Sequence, residues 1–250
     1  EGRRLRNVEC RLAATFDKLL VVSDAERDLF RSFCSSDRIA AVSNGVDYQY
    51  FAPQPGAVSE PHSCAFVGVM NYKPNADAAI WFADNVWPRM RQRYPEAKFY
   101  IVGKSPASEV QALHAVSGIE VTGAVPDVRP WLKRATCAVV PLQIARGVQN
   151  KVLEAMACGR PVICSPEPLN GLAAEPGVQL LKAASADEWV SALSRVFDDK
   201  ELQNRLGTAA MHWVRKHHSW DSALATLSEL SLRKRLEQAN QMTLDHQTRR

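Results

Sequence analysis

The chain has 250 residues, 46% of them hydrophobic and 23% charged, which is the composition of a soluble globular protein with room for a packed core. No apolar run approaches the ~18 residues of a membrane span, and the opening EGRRLRNVEC is not a secretory signal. The formal net charge of +4 is too small to argue for nucleic acid, but it suits an anionic small ligand or a peripheral membrane contact.

In chain order, short β-branched apolar runs alternate with helical patterns. LLVVS (19–23) is followed by a helix over 24–34 and then by IAAVS (39–43). SCAFVG (63–68) leads into a helix over 75–93, where Ala79, Phe82, Ala83, Val86 and Met90 form one stripe. Asn75 is placed at the N-cap of that helix and Asp77 in its first turn. KFYIVG (98–103), IEVTG (119–123), TCAVVP (136–141) and PVICS (161–165) follow, with helices over 106–116, 127–134 and 148–158 between them. Helices over 186–198, 200–217 and 220–238 close the chain, and the polar NQMTLDHQTRR is expected to fray. Continuous apolar strands alternating with amphipathic helices predict an α/β, doubly wound parallel sheet with C-terminal helices. Gly68, Gly103, Gly123, Pro141 and Ser165 each close a strand at its carboxyl end, the edge where such sheets bind ligands.

The six cysteines (10, 34, 64, 137, 158 and 164) are scattered, with no Cys-x-x-Cys pair and no Cys/His cluster at zinc spacing. They read as free, buried thiols of a cytoplasmic protein that is not built on disulfides. None of the six histidines lies in a phosphate loop or beside a ligand cluster. His217-His218 ends a helix, where cationic side chains suit the carbonyl end. The tryptophans read as core or domain-contact residues, and RKRLEQ (233–238) as a solvated face or a membrane-surface contact. The chain does not begin with methionine and a strand-like segment comes almost at once, so it is read as a piece of something longer.

ARGVQNKVLEAMACGRPVICSPEPLNGL (145–172) carries the chemistry. It reads as a loop, a helix from about Val148 to Cys158, and a Gly-Arg-Pro turn into a buried strand. The free N–H groups of a helix start seat a phosphate, Gly147 allows close approach, and Arg146 and Lys151 gather positive charge there. From spacing alone, Lys151 and Glu154 are as readily an i,i+3 surface pair.

KVLEAMACGRPVICS resembles the retaining GT-B glycosyltransferases of family four, whose signature ends in LEAMACGxPV. VSNGVDYQYFAP (42–53), FVGVMNYKPN (66–75), YIVGKSP (100–106) and VTGAVPDVRPWL (121–132) match in order, so the resemblance covers residues 43–182. SPEPLNGL is similar to a segment of bacterial exopolysaccharide-associated sugar transferases. The resemblance implies two facing Rossmann-like domains, a nucleotide-sugar donor held by the C-terminal one, and no metal or other cofactor. Residues 1–42 would then be the tail of the acceptor-side domain, 43–218 the donor domain, and 219–250 a closing helix and polar tail. A saccharide or lipid-linked acceptor would sit on the missing N-terminal domain, at the inner face of the membrane, and the fragment alone would be inactive.

By the same resemblance Glu154 meets the donor ribose and Lys73 and Lys151 the diphosphate. Gly147 and Val148 cap sugar and phosphate through backbone N–H groups, and Val125 reads the base edge. Two positions depart from the pattern: Arg146 stands where the first motif glutamate would be, and Val69 where an arginine is frequent. No catalytic nucleophile is assignable. A non-catalytic nucleotide-sugar binding module and a sugar-nucleotide epimerase or phosphorylase-like enzyme on the same fold stay open, although the acidic and histidine groups of an epimerase are missing.

Overall fold

The structure, a computed structural model, describes residues 1–53 and 59–231. A first helix α1 (Gly2–Thr15) precedes β1 (Leu19–Val21), α2 (Asp24–Arg31) and β2 (Ile39–Ala41). Ser23 starts α2 by accepting the Glu26 N–H at 3.2 Å, with Asp24 and Glu26 in the first turn against the helix dipole. β1 and β2 pair in parallel, Leu19 opposite Ile39, as a sheet of two strands. Then come β3 (Ser63–Val67), α3 (Lys73–Asn85), α4 (Trp87–Arg93), β4 (Lys98–Val102), α5 (Ser108–Ala112), β5 (Ile119–Gly123) and α6 (Arg129–Arg134). β6 (Cys137–Val140), α7 (Asn150–Ala157), β7 (Val162–Cys164), α8 (Pro166–Leu169), β8 (Leu181–Lys182), α9 (Ala186–Asp198) and α10 (Lys200–His217) follow.

The last six strands form one parallel sheet in the order β5-β4-β3-β6-β7-β8. This is the doubly wound α/β fold that the alternation predicts. Strands buried on both faces cannot alternate apolar with polar residues. Cys64, Ala65, Phe66, Cys137, Val139, Ile163 and Cys164 accordingly have no exposed surface. The chain winds outward from β3 through β4 to β5, then returns to lay β6 against β3, Cys64 opposite Cys137. That reversal opens a crevice at the carboxyl ends of β3 and β6, where the crossovers leave in opposite directions.

Four details differ from the sequence reading. Cys10 on α1 and Cys34 after α2 form a disulfide, with a Cα–Cα separation of 5.2 Å, whereas Cys64, Cys137, Cys158 and Cys164 are free and buried as expected. The pair is made by α1, which the sequence reading left unassigned. It packs Ala13 with Val21, Cys34 and Ile39 in a small core of its own. The helix expected over 75–93 is two helices that meet at Val86, with Pro74 opening the first and Pro88 the second. Because Pro74 sets the start, Tyr72 is the N-cap and Asn75 lies inside the first turn, buried.

His218 is the fourth correction, since burial lowers its pKa and opposes the cationic role expected at a helix end. Its Nδ1 lies 3.0 Å from Ser43 Oγ and 3.1 Å from the Asn44 oxygen, while its backbone oxygen accepts the Val46 N–H at 2.8 Å. Gly45 crosses directly over Trp220, and a Cβ there would come within 2.7 Å of the indole. Residues 220–231 are helical, and the remainder of the helix expected to 238, RKRLEQ and the polar tail lie outside the described residues.

The ends of β3 and β4 touch so closely that only glycine fits. Gly103 has φ +147°, and a Cβ on it would fall 1.7 Å from the Gly68 oxygen. Gly103→Ala is therefore expected to cost roughly 3 kcal/mol or more, because backbone must move on both strands. Gly123, with φ +67° and open space around its missing Cβ, is the control, at about 1 kcal/mol. Urea unfolding of the two variants measures the difference, and equal midpoints would refute the close-approach account.

Candidate functional site

The crevice between β3 and β6 is built from the segment that leaves each strand. After β6 the chain passes through Pro141 to Gly147 and enters α7. Gln149 is the N-cap of α7, but its side chain turns back to donate to the Arg146 oxygen at 2.9 Å and does not cap the helix. The first-turn N–H groups of α7 therefore have no side-chain cap, and such groups attract anions. Gly147 holds φ +63°, and a Cβ on it would meet Val22 at 2.8 Å. A Cβ on Gly171 would lie 2.2 Å from the Gly147 oxygen and 3.1 Å from the Val148 nitrogen. The loop is thus clasped between the β1–α2 turn and the turn after α8, with no room for side chains at either contact.

Lys151, in the first turn of α7, crosses the crevice. Its Nζ donates to Asn75 Oδ1 on α3 and stands 4.9 Å from the centroid of Phe66 on β3. Asn75 is itself held by donating from Nδ2 to the Val69 oxygen at 3.0 Å. Gly68 makes the approach possible, since a Cβ there would lie 3.2 Å from the Lys151 amine and 2.7 Å from Asn75 Nδ2. Burial pushes the Lys151 pKa down to about 8, and the nearby Glu154 only partly opposes this. Burial likewise raises the Glu154 carboxyl, with Lys151 opposing. The surface-pair alternative for these two residues fails, because Lys151 is mostly buried and its hydrogen bond runs to Asn75.

Of the residues singled out from the sequence, Gly147, Val148, Lys151 and Glu154 share one loop and helix start at the crevice. Val148 is buried and Arg146 exposed, and a cleft of about 270 Å³ opens between Arg146, Gly147, Asn170 and the start of α2 at Glu26. Lys73 opens α3 two residues before Asn75, with its side chain exposed and paired to Asp77 at 3.0 Å. An exposed i,i+4 pair of this kind is weak and leaves the amine available. Val125 lies beyond the end of β5, half-buried against Ala65, Tyr100 and Val102. Asn75 is the residue that the sequence reading placed but did not use: its task is holding the lysine, not capping. Pro74 beside it was the available signal, because proline fixes the first turn one step earlier. No group of three or more His, Cys, Asp or Glu side chains placed to hold a metal occurs among the described residues. No helix among them is long and apolar enough to cross a membrane.

Comparison with known proteins agrees with this geometry. The family model described as "Glycosyl transferases group 1" matches residues 61–199, which span the six-stranded sheet and its crevice. Glycosyltransferase 1 domain-containing protein 1 of Xenopus tropicalis is 26% identical over 198 residues, covering 76% of this chain and 56% of that protein. Sucrose-phosphate synthase (tll1590) from Thermosynechococcus elongatus superimposes with a TM-score of 0.77 at 19% identity, over 96% of this chain and 63% of that one. Anabaena Alr3699/HepE, crystallised with UDP-glucose, gives a TM-score of 0.75 at 14% identity, over 90% of this chain and 66% of that one. At such identities the structural likeness speaks for the fold, the Rossmann-like architecture of GT-B glycosyltransferases. The chain spans little more than half the length of the curated relative. With the family match running through more than half of its residues, the chain belongs to the group 1 glycosyl transferases.

Proposed function

We propose that the chain is the donor-binding half of a glycosyltransferase that moves a sugar from a nucleoside diphosphate to an acceptor hydroxyl. The observation that carries this reading is Lys151, a mostly buried amine at the crossover of a nucleotide-type sheet, hydrogen-bonded to a neutral asparagine. A diphosphate in the crevice would give that amine a counter-charge and meet the uncapped first turn of α7. As the sugar leaves, negative charge grows on the diphosphate, and fixed N–H groups with Lys151 and Lys73 stabilise it without having to reorganise. In this reading Glu154 holds the ribose hydroxyls, Val125 the base edge through its backbone, and Gly147 and Val148 the sugar and inner phosphate. Arg146 adds positive charge to the rim where a carboxylate is usual in the resembling family.

The reading extends to retention at the anomeric carbon, to cell-surface polysaccharide synthesis, and to a saccharide or lipid-linked acceptor held by a second domain. The small core around the Cys10–Cys34 pair, separate from the main one, supports treating residues 1–42 as the tail of that domain. Binding of UDP-glucose by HepE supports a UDP-sugar as the first donor to test.

Glu154→Gln is expected to weaken UDP binding by about 1.5–3 kcal/mol, the usual loss of a charged hydrogen bond, with an unchanged melting temperature. Calorimetry with UDP checks it, and equal affinity would remove Glu154 from the site. The same titration in excess chelator is expected to give the wild-type affinity, and a requirement for magnesium or manganese would contradict this account. Affinity is also expected to depend on pH through Lys151. A bound diphosphate raises the amine pKa above its free value of about 8, so binding is strongest below 8 and declines as pH rises past it. An affinity that is flat across that range, or that declines equally in Lys151→Met, would show that the amine does not meet the ligand.

A further inference from the structure

The Gly-Arg-Pro turn after α7 lies at the amino end of β7, on the edge of the sheet opposite the crevice. A cavity of about 500 Å³ separates it from the first half of α10. Its wall is set by a close contact: a Cβ on Gly207 of α10 would fall 2.3 Å from the Gly159 oxygen. Arg160, Lys200, Gln203, Asn204, Thr208 and Thr136 line it, and no aspartate or glutamate is among the described residues that do so.

Arg160 is the unusual group. Its Nε is buried with no hydrogen-bond partner among the described residues. Among the described residues no carboxylate forms an ion pair with its guanidinium. The groups whose fields reach it are the thiols of Cys158 and Cys137, and burial holds both above the ordinary cysteine range, so neither supplies an anion. A half-buried cation without a counter-ion is unfavourable, and a planar guanidinium matches the paired oxygens of a phosphate. Lys200 adds a second positive charge at the mouth. Its amine lies 3.0 Å from Gln203 Oε1, and the Gln203 amide is fixed in turn by donating to the Val196 oxygen at 2.7 Å. The cavity is larger than a phosphate needs and falls within the span of small-molecule sites, about 300–1,000 Å³.

We propose that this cavity is a second ligand site that takes a sugar phosphate. The phosphate would sit on Arg160 and Lys200 and the sugar hydroxyls on Asn204 and Thr208. The proposal does not depend on the donor reading, because the two sites lie at opposite edges of the sheet.

Calorimetry with glucose 6-phosphate and with inorganic phosphate, each with and without saturating UDP, tests it. The expected result is saturable binding of glucose 6-phosphate, tighter than that of phosphate and unaffected by UDP. Arg160→Gln and Lys200→Gln are each expected to weaken it about ten-fold or more, the scale of one charged hydrogen bond. Lys200 is exposed, so its variant carries the test even if Arg160→Gln does not fold. No saturable binding, displacement by UDP, or undiminished affinity in Lys200→Gln would overturn the proposal. Phosphate binding as tightly as glucose 6-phosphate would overturn the sugar-phosphate assignment.

Discussion

The structure turns on one mostly desolvated amine. The Lys151 amine is held against Phe66, Asn75 and the backbone of Gly68, where burial favours its neutral form and only Glu154 pulls the other way. A lysine in that position is a poor choice for stability, because an apolar side chain would fill the same space without desolvating a charge. Its presence makes sense when an anion completes its surroundings. The neighbouring residues are those the amine requires: glycine at 68 to clear its path, and an asparagine at 75 turned inward to accept its hydrogen bond. A proline at 74 starts α3 early enough to bring that asparagine inside.

The same edge depends on backbone meeting backbone. Gly68 with Gly103, and Gly147 with Gly171, bring loop segments within distances that no side chain permits. These contacts line the carboxyl edge with closely packed backbone, which suits a ligand recognised through its phosphates and hydroxyls. Glycine performs a different task at position 45, where the strand-to-domain segment crosses Trp220. There His218, Ser43 and Asn44 pin the chain leaving the first small core to the end of α10.

Much of this was legible in the sequence, for physical reasons. The seven apolar runs are too continuous for a sheet with one wet face, so the parallel α/β class followed from them directly. The loop and helix at 145–158 were legible because glycine, basic residues and a helix start coincide there. Other features were hidden in tertiary context. β8 is only two residues, with too little pattern to see. α1 is a different case: Leu5, Val8 and Leu12 recur at helical steps and were a legible signal, but the structure leaves that stripe exposed and buries only Ala13 of the helix. Nothing in a separation of 24 residues joins Cys10 to Cys34 until α1 is laid against the turn after α2. His218 looked like an ordinary helix-end cation because the segment that buries it lies some 175 residues earlier.

The central claim is that the crevice between β3 and β6, with Lys151 at its floor, binds a nucleoside diphosphate. The most direct measurement is amide chemical-shift mapping of the isotope-labelled chain titrated with UDP. The account requires the largest changes at Gly68, Gly147, Val148 and Lys151, with further changes at Lys73 and Val125 and none at Arg160 or Thr208. Changes confined to other parts of the sheet, or no saturable change at the crevice, would contradict it.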